Sequence, residues 1–230
     1  MAELDLPAHN AALFFRVREP LADHLGGERH LCLGGGTALA ARWAHRHSTD
    51  LGFFVDGDAY QRLYTNARAF ERDLARSAGG ISTSAISSGS ATVVLGDGGE
   101  ISLSTTPSKT PNPRSADTIR GSAAALESTA EILARKIGGR ILSNNIFVAR
   151  DLYDITVAKH YDPAALDRAL RPFTDDERRQ IADELKALPR DWLANQPRPV
   201  VNPSRPLAAE HCVQRARDII APPRSLHWQR

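Results

Sequence analysis

Cysteine is scarce: two in 230 residues, Cys32 and Cys212, far apart and in no Cys-x-x-Cys pair or Cys/His cluster. That excludes a disulfide framework and a structural zinc site, and it fits a reducing cytosol. No apolar run approaches the roughly 20 residues that a bilayer span requires, so no membrane segment is expected. The opening MAELDLPAHN is acidic and polar, unlike a signal peptide, and the expected compartment is the cytoplasm. Repeats and low-complexity tracts are also missing. What is present is ordinary for a globular chain: 42% hydrophobic and 24% charged residues. A sizeable core follows, in one large domain or two closely packed small ones. The net charge of +2 is unevenly spread. Residues 1–108 carry 9 Lys/Arg against 12 Asp/Glu, and residues 109–230 carry 20 against 15. A basic second half suits a phosphate-rich ligand, and it equally suits Arg-rich solvated helix faces.

Hydrophobic periodicity predicts an α/β (α+β) chain with a mixed sheet in its first half and helices in its second. Residues 9–26 read as an amphipathic helix interrupted at Pro20. His30–Leu33 reads as a short strand ended by Gly34-Gly35-Gly36, with Thr37 as N-cap of the helix that follows. Asp50–Asp56 reads as a strand, and 58–78 as a helix. Residues 91–95 and 100–104 form a hairpin around Gly96-Asp97-Gly98-Gly99. Pro107, Pro111 and Pro113 mark 109–122 as a linker between a core at 1–108 and a helical domain at 123–230. Helices are expected there at 123–138, 147–160, 163–171, 174–188 and 206–220.

The glycine turn carries the chemistry. A strand delivers the chain into Gly34-Gly35-Gly36 and a helix starts at once, so free N–H groups and a partial positive charge face whatever lies at the turn. This order suits a phosphate, yet glycine turns also serve as plain connections. No Gly-Lys-Ser/Thr follows, and no Gly-x-Gly-x-x-Gly is present. On the next strand, positions 50 and 52 project from one face, ~7 Å apart. Carboxylates at both would hold Mg²⁺ for in-line attack on a triphosphate.

A Gly-Gly-Ser/Thr turn, a helix and then Asp-x-Asp on a strand is the core pattern of the DNA polymerase β-like nucleotidyltransferases, which this stretch resembles. The longer string GGTALAARWAHRHSTDLGFF is similar to the AbiEii/AbiGii toxin family, whose Arg-x-Ser-x-Asp-Leu-Asp-Phe stretch Arg46–Phe53 matches except at Gly52. Glu131–Ile137, with Lys136, and Ala149–Ile155, with Arg150-Asp151-Leu152-Tyr153-Asp154, resemble the family's later helical motifs. The resemblance implies an Mg²⁺-dependent transfer of a nucleoside monophosphate from a nucleoside triphosphate to an RNA or protein hydroxyl. It implies a toxin–antitoxin or phage-defence setting, with a cognate antitoxin as partner. By the same resemblance Gly35, Gly36, Thr37, Arg42, Arg46, Ser48 and Lys136 contact the nucleotide, Asp50 holds metal, and Lys136 with Asp151 or Asp154 completes the site. The alternatives are an exposed lysine and aspartates that cap or decorate helices. The metal set is short. Gly52 replaces the second acid, and Ser102 or Ser104 stands where a third is expected. Asp97 suits a turn, and Glu100 lies at the hairpin's turn end. A catalytically degenerate nucleotide- or RNA-binding module is the competing reading. His45 and His47 flank Arg46 with diverging side chains, and Trp43, Tyr153 and Cys32 read as packing residues.

Overall fold

The computed structural model describes residues 2–223. An eight-stranded mixed sheet runs in the order β1-β7-β8-β2-β3-β6-β5-β4. Its strands are β1 (Glu3–Leu4), β2 (Cys32–Gly34), β3 (Asp50–Phe54), β4 (Ile81–Ile86), β5 (Ser90–Leu95), β6 (Glu100–Ser104), β7 (Arg114–Ile119) and β8 (Ala125–Glu127). The β1/β7, β2/β8 and β3/β6 pairs are parallel; β2/β3, β4/β5, β5/β6 and β7/β8 are antiparallel.

Helix α1 (Ala8–Leu25) turns Leu13, Phe14, Val17, Leu21 and Leu25 inward at helical spacing, and Gly26 at φ +86° ends it. Pro20 lies inside α1 and is buried. The Phe14 and Phe53 rings stack 6.2 Å apart, so the Leu51/Phe53 side of β3 lies under α1. Strand alternation then leaves Asp50, Gly52 and Phe54 on the opposite face. β6 repeats the pattern, burying Ile101 and Leu103 and leaving Glu100, Ser102 and Ser104 less buried. That second face is where the site forms.

Helix α2 (Gly35–Trp43) follows β2. The helix expected at 58–78 is two, α3 (Gly57–Thr65) and α4 (Ala67–Ala78), broken at Asn66. Strand β4 appears where no strand was read. The stretch read as a linker contains β7, whose inward-turned residues are Ser115, Asp117 and Ile119, two of them polar, so it carries no apolar period-2 signal. The helix expected from 123 begins at Thr129 as α5 (Thr129–Arg135), after β8. Its Ser128 N-cap accepts from the Glu131 N–H. A π-helical turn continues it over Lys136–Leu142, at Lys-Ile-Gly-Gly. Gly138 is required there, since a Cβ would meet the Phe173 ring at 2.7 Å. Helix α6 (Ala149–Tyr161) is central and buries Ala149 and every residue from Asp151 to Ala158. Around it pack α7 (Pro163–Leu170), α9 (Pro206–Glu210) and α10 (Cys212–Ile220), while α8 (Asp175–Ala187), with a Thr174/Glu177 capping box, packs on α10 and the π-helical turn. One hydrophobic cluster runs from Leu6 to Ile220.

Candidate functional site

The glycine turn is shaped by side chains from elsewhere in the fold. A Cβ on Gly34 would collide with the Glu127 carboxyl, and one on Gly36 with the Arg46 guanidinium. Gly35 has φ +63°, and a Cβ there would meet nothing within 4 Å. Of the three, Gly35 faces a cavity of about 310 Å³. Thr37 is not the N-cap. Gly34 takes that position, and Thr37 is the third residue of α2, buried, with its hydroxyl on Ser48 Oγ (2.9 Å) and on the Asp50 carbonyl. Thr37 and Ser48 thus tie α2 to the start of β3.

Arg42 lies away from the cavity. Its Nη2 donates to the Glu127 carbonyl at 2.7 Å and its Nε approaches Asp117 at 3.5 Å, holding α2 to β8 and β7. Arg46 is buried and forks onto Asp154, Nε to Oδ1 at 2.7 Å and Nη2 to Oδ2 at 2.9 Å. Asp154 also meets His45 Nε2 at 2.7 Å and Lys136 Nζ at 3.1 Å. Lys136 is 6% exposed, not a surface lysine, and contacts Asp151 as well. Asp151 in turn accepts from Arg140 at 2.6 Å. Burial pushes both aspartates upward, but Arg46 and Lys136 hold Asp154 well below the ordinary carboxylate range. Lys136 and Arg140 likewise lower Asp151. The two aspartates therefore position cations at the cavity wall.

That cavity lies between the Gly52, Phe54, Ser102 and Ser104 face of the sheet and the π-helical turn. Lys109, Arg135, Lys136 and Arg140 line it, with Glu127 as its one carboxylate among the described residues. Asp50 instead borders a smaller adjoining pocket with Arg150 and Arg198. Its carboxylate accepts from Arg150 at 2.7 Å and Thr49 at 2.8 Å, and Arg198 stands 3.5 Å away. Burial raises Asp50, but Arg150, Thr49 and Arg198 together outweigh it and the carboxyl lies below its ordinary value. Across the parallel pair, Asp50 faces Glu100 and Gly52 faces Ser102. Arg198 also reaches Glu100 at 2.8 Å, so one guanidinium bridges both acids.

The model of the nucleotidyl transferase AbiEii toxin family, of type IV toxin–antitoxin systems, matches residues 21–211. The chain belongs to this family. Two Helicobacter pylori structures share the fold. JHP933 has a TM-score of 0.51 and 17% identity, over 91% of this chain and 88% of that one. A second, described provisionally as a nucleotidyltransferase, has a TM-score of 0.53 and 17% identity, over 92% of this chain and 91% of that one. No curated protein sequence matches.

Members of the AbiEii family generally use a nucleoside triphosphate with a divalent metal, and the donors here can be tested against that need. Gly52 offers no side-chain oxygen, Ser102 offers a neutral hydroxyl, Asp50 is engaged by Arg150, Arg198 and Thr49, and one Glu100 oxygen is engaged by Arg198. Among the described residues no three His, Cys, Asp or Glu side chains converge to hold an ion. A Mg²⁺ shell needs several hard oxygens. This set does not fit it.

Sequence reasoning missed Lys109, Glu127, Arg140 and Arg198, and Arg135 stood in the Glu131–Ile137 string without a role. Arg150 stood in the Arg-Asp-x-Tyr-Asp string but was given no role there; its partner Asp50 lies 100 residues earlier.

Proposed function

We propose that this AbiEii-family protein binds a nucleoside triphosphate by its phosphates in the cavity between β3/β6 and the π-helical turn, without efficient two-metal transfer. One observation carries the reading. Gly52 and Ser102 face each other in register where paired acids would hold metal, while Lys109, Arg135, Lys136 and Arg140 line the same cavity. Guanidinium and ammonium groups bind phosphate oxygens directly and neutralise their charge. Lys109 has no ion-pair partner among the described residues, so its charge is fully available to a ligand. Asp151 and Asp154 hold Lys136 and Arg140 in place, which lowers the ordering entropy that binding must overcome.

The second reading is transfer of a nucleoside monophosphate to an RNA or protein hydroxyl. Asp50, retained at the first acid position beside Glu100, favours it. An antitoxin partner belongs to either reading, as the family implies. Radiolabelled triphosphates separate the two. Saturable binding of at least one nucleotide, with no Asp50-dependent label on RNA or protein, is the expected result. Mg²⁺-dependent labelling that Asp50→Ala abolishes would establish the second reading in place of the first.

A further inference from the structure

The N-terminus of α2 already has a carboxyl group beside it. Glu127 is 2% exposed and ends β8 next to Gly34, which must be glycine to admit the carboxyl. Its Oε1 accepts from Arg135 Nε at 2.8 Å; its Oε2, buried at the cavity wall, has no well-aligned hydrogen-bond partner, and the Gly35 N–H at the start of α2 gives the carboxylate only a minor stabilisation. Arg135 is shared with Glu131 at 2.9 Å and lies over the Phe54 ring at 3.9 Å, so it does not neutralise Glu127 alone.

The charged and titratable groups around Glu127 come from every element packed on it. Arg135 and Glu131 belong to α5, and Arg114 is its register partner on β7. Cys32 lies on β2, Arg42 of α2 contacts its carbonyl, and Lys136 stands on the same cavity wall. Burial pushes the carboxyl up to about 8; Arg135 pulls against this and Glu131 adds to it. A phosphate entering the cavity brings more negative charge into a poorly solvated space, and like charges disfavour each other's ionised forms.

We propose that Glu127, the carboxyl group resident at the α2 N-terminus, must be neutral for a phosphate-bearing ligand to enter the cavity, so that wherever it is ionised it takes up one proton from solvent on binding. The inference rests on the cavity being a phosphate site. It assigns Glu127 as a positioning and selectivity residue: the neutral acid admits the ligand, and the carboxylate repels it. Below pH 8 the group is mostly protonated already and little uptake accompanies binding. Above pH 8 each bound ligand draws in a proton, and affinity falls about tenfold per pH unit.

The test is calorimetry of inorganic tripolyphosphate binding to the full chain at pH 7 and pH 9, in buffers of differing ionisation enthalpy. Parent and Glu127→Gln are compared, which cancels the ligand's own titration. The parent should lose about tenfold more affinity than Glu127→Gln between the two pH values, with close to one extra proton taken up at pH 9. The same pH dependence and proton count in both proteins would overturn the role of Glu127 while leaving the phosphate site standing. No binding by either would overturn the site and this inference together. Were Glu127→Gln unable to fold, sulfate, which does not titrate in this range, decides on the parent alone. Proton uptake at pH 9 that disappears at pH 7 supports the assignment, and binding without uptake overturns it.

Discussion

Asp154→Asn removes one charge from the most connected point of the molecule. The carboxylate is fully buried and accepts from both arms of Arg46, from His45 and from Lys136. The amide is nearly isosteric, so packing is preserved, but Arg46 and Lys136 lose a shared counter-charge in a place with almost no solvent. Breaking a buried pair by removing one partner costs about 3–5 kcal/mol. Against a domain stability of roughly 5–15 kcal/mol that is a large share. At ~2–4 °C per kcal/mol for a chain of this size, the melting temperature should fall by about 6–20 °C. The pH dependence fixes the mechanism. Asp154 is held well below its unfolded value. Its contribution is therefore present above the unfolded carboxylate pKa, near 4, and is lost as pH falls from there toward the folded value. Urea denaturation at pH 7 and pH 2.5 reads both quantities. The gap between parent and Asp154→Asn should be widest at pH 7 and smaller by about 2 kcal/mol at pH 2.5. A loss under 1 kcal/mol at pH 7, or a gap that does not change with pH, refutes the network's role.

Other substitutions probe single contacts. Gly34→Ala should destabilise by about 1–3 kcal/mol, because its Cβ collides with Glu127. Adding Glu127→Ala should recover part of that loss; equal or greater loss in the double variant in urea titrations contradicts the clash. Gly52→Asp with Ser102→Asp should create Mg²⁺ affinity in the presence of a triphosphate, read by calorimetry. A Cβ on Gly52 would lie 3.5 Å from Ser102 Oγ, an ordinary contact, so the backbone accepts the change. Unchanged Mg²⁺ binding in that variant rejects the strand-face geometry. Arg198→Ala should raise the titration midpoint of Asp50 toward its ordinary value, followed by carboxyl NMR, since Arg198 is one of the cations holding it down. An unmoved midpoint would leave Arg150 as the sole partner that matters.

The sequence made some parts of this legible and hid others for physical reasons. Leu33 through Phe54 was readable because glycines, a helix period and an alternating strand follow one another within about twenty residues, each with a strong local signal. Strands β7 and β8 were not, because β7 buries a single residue and β8 is three residues long. Glu127 was therefore folded into an expected helix and passed over. Thr37 looked like an N-cap by type, but three consecutive glycines place the cap three residues earlier, at Gly34, and the Thr37 hydroxyl is drawn to Ser48 instead. Lys136 reads equally well as exposed or buried along its own helix. Its burial depends on Asp151 and Asp154, which a second helix brings alongside it. Arg198 sits in a proline-rich segment 148 residues from Asp50, where no local pattern links a guanidinium to an acid pair.

The most direct test is the dissociation constant of a nucleoside triphosphate for the parent protein and for Lys136→Met, in Mg²⁺ and in EDTA. Direct phosphate binding by side-chain cations requires the parent's affinity to change less than about threefold between Mg²⁺ and EDTA. It should weaken with added salt, as charge–phosphate contacts do. It should also drop at least tenfold in Lys136→Met, with folding of the variant checked by circular dichroism. Triphosphate binding that vanishes in EDTA and is indifferent to Lys136 would mean that a protein-held metal, not the cation-lined cavity, carries the ligand.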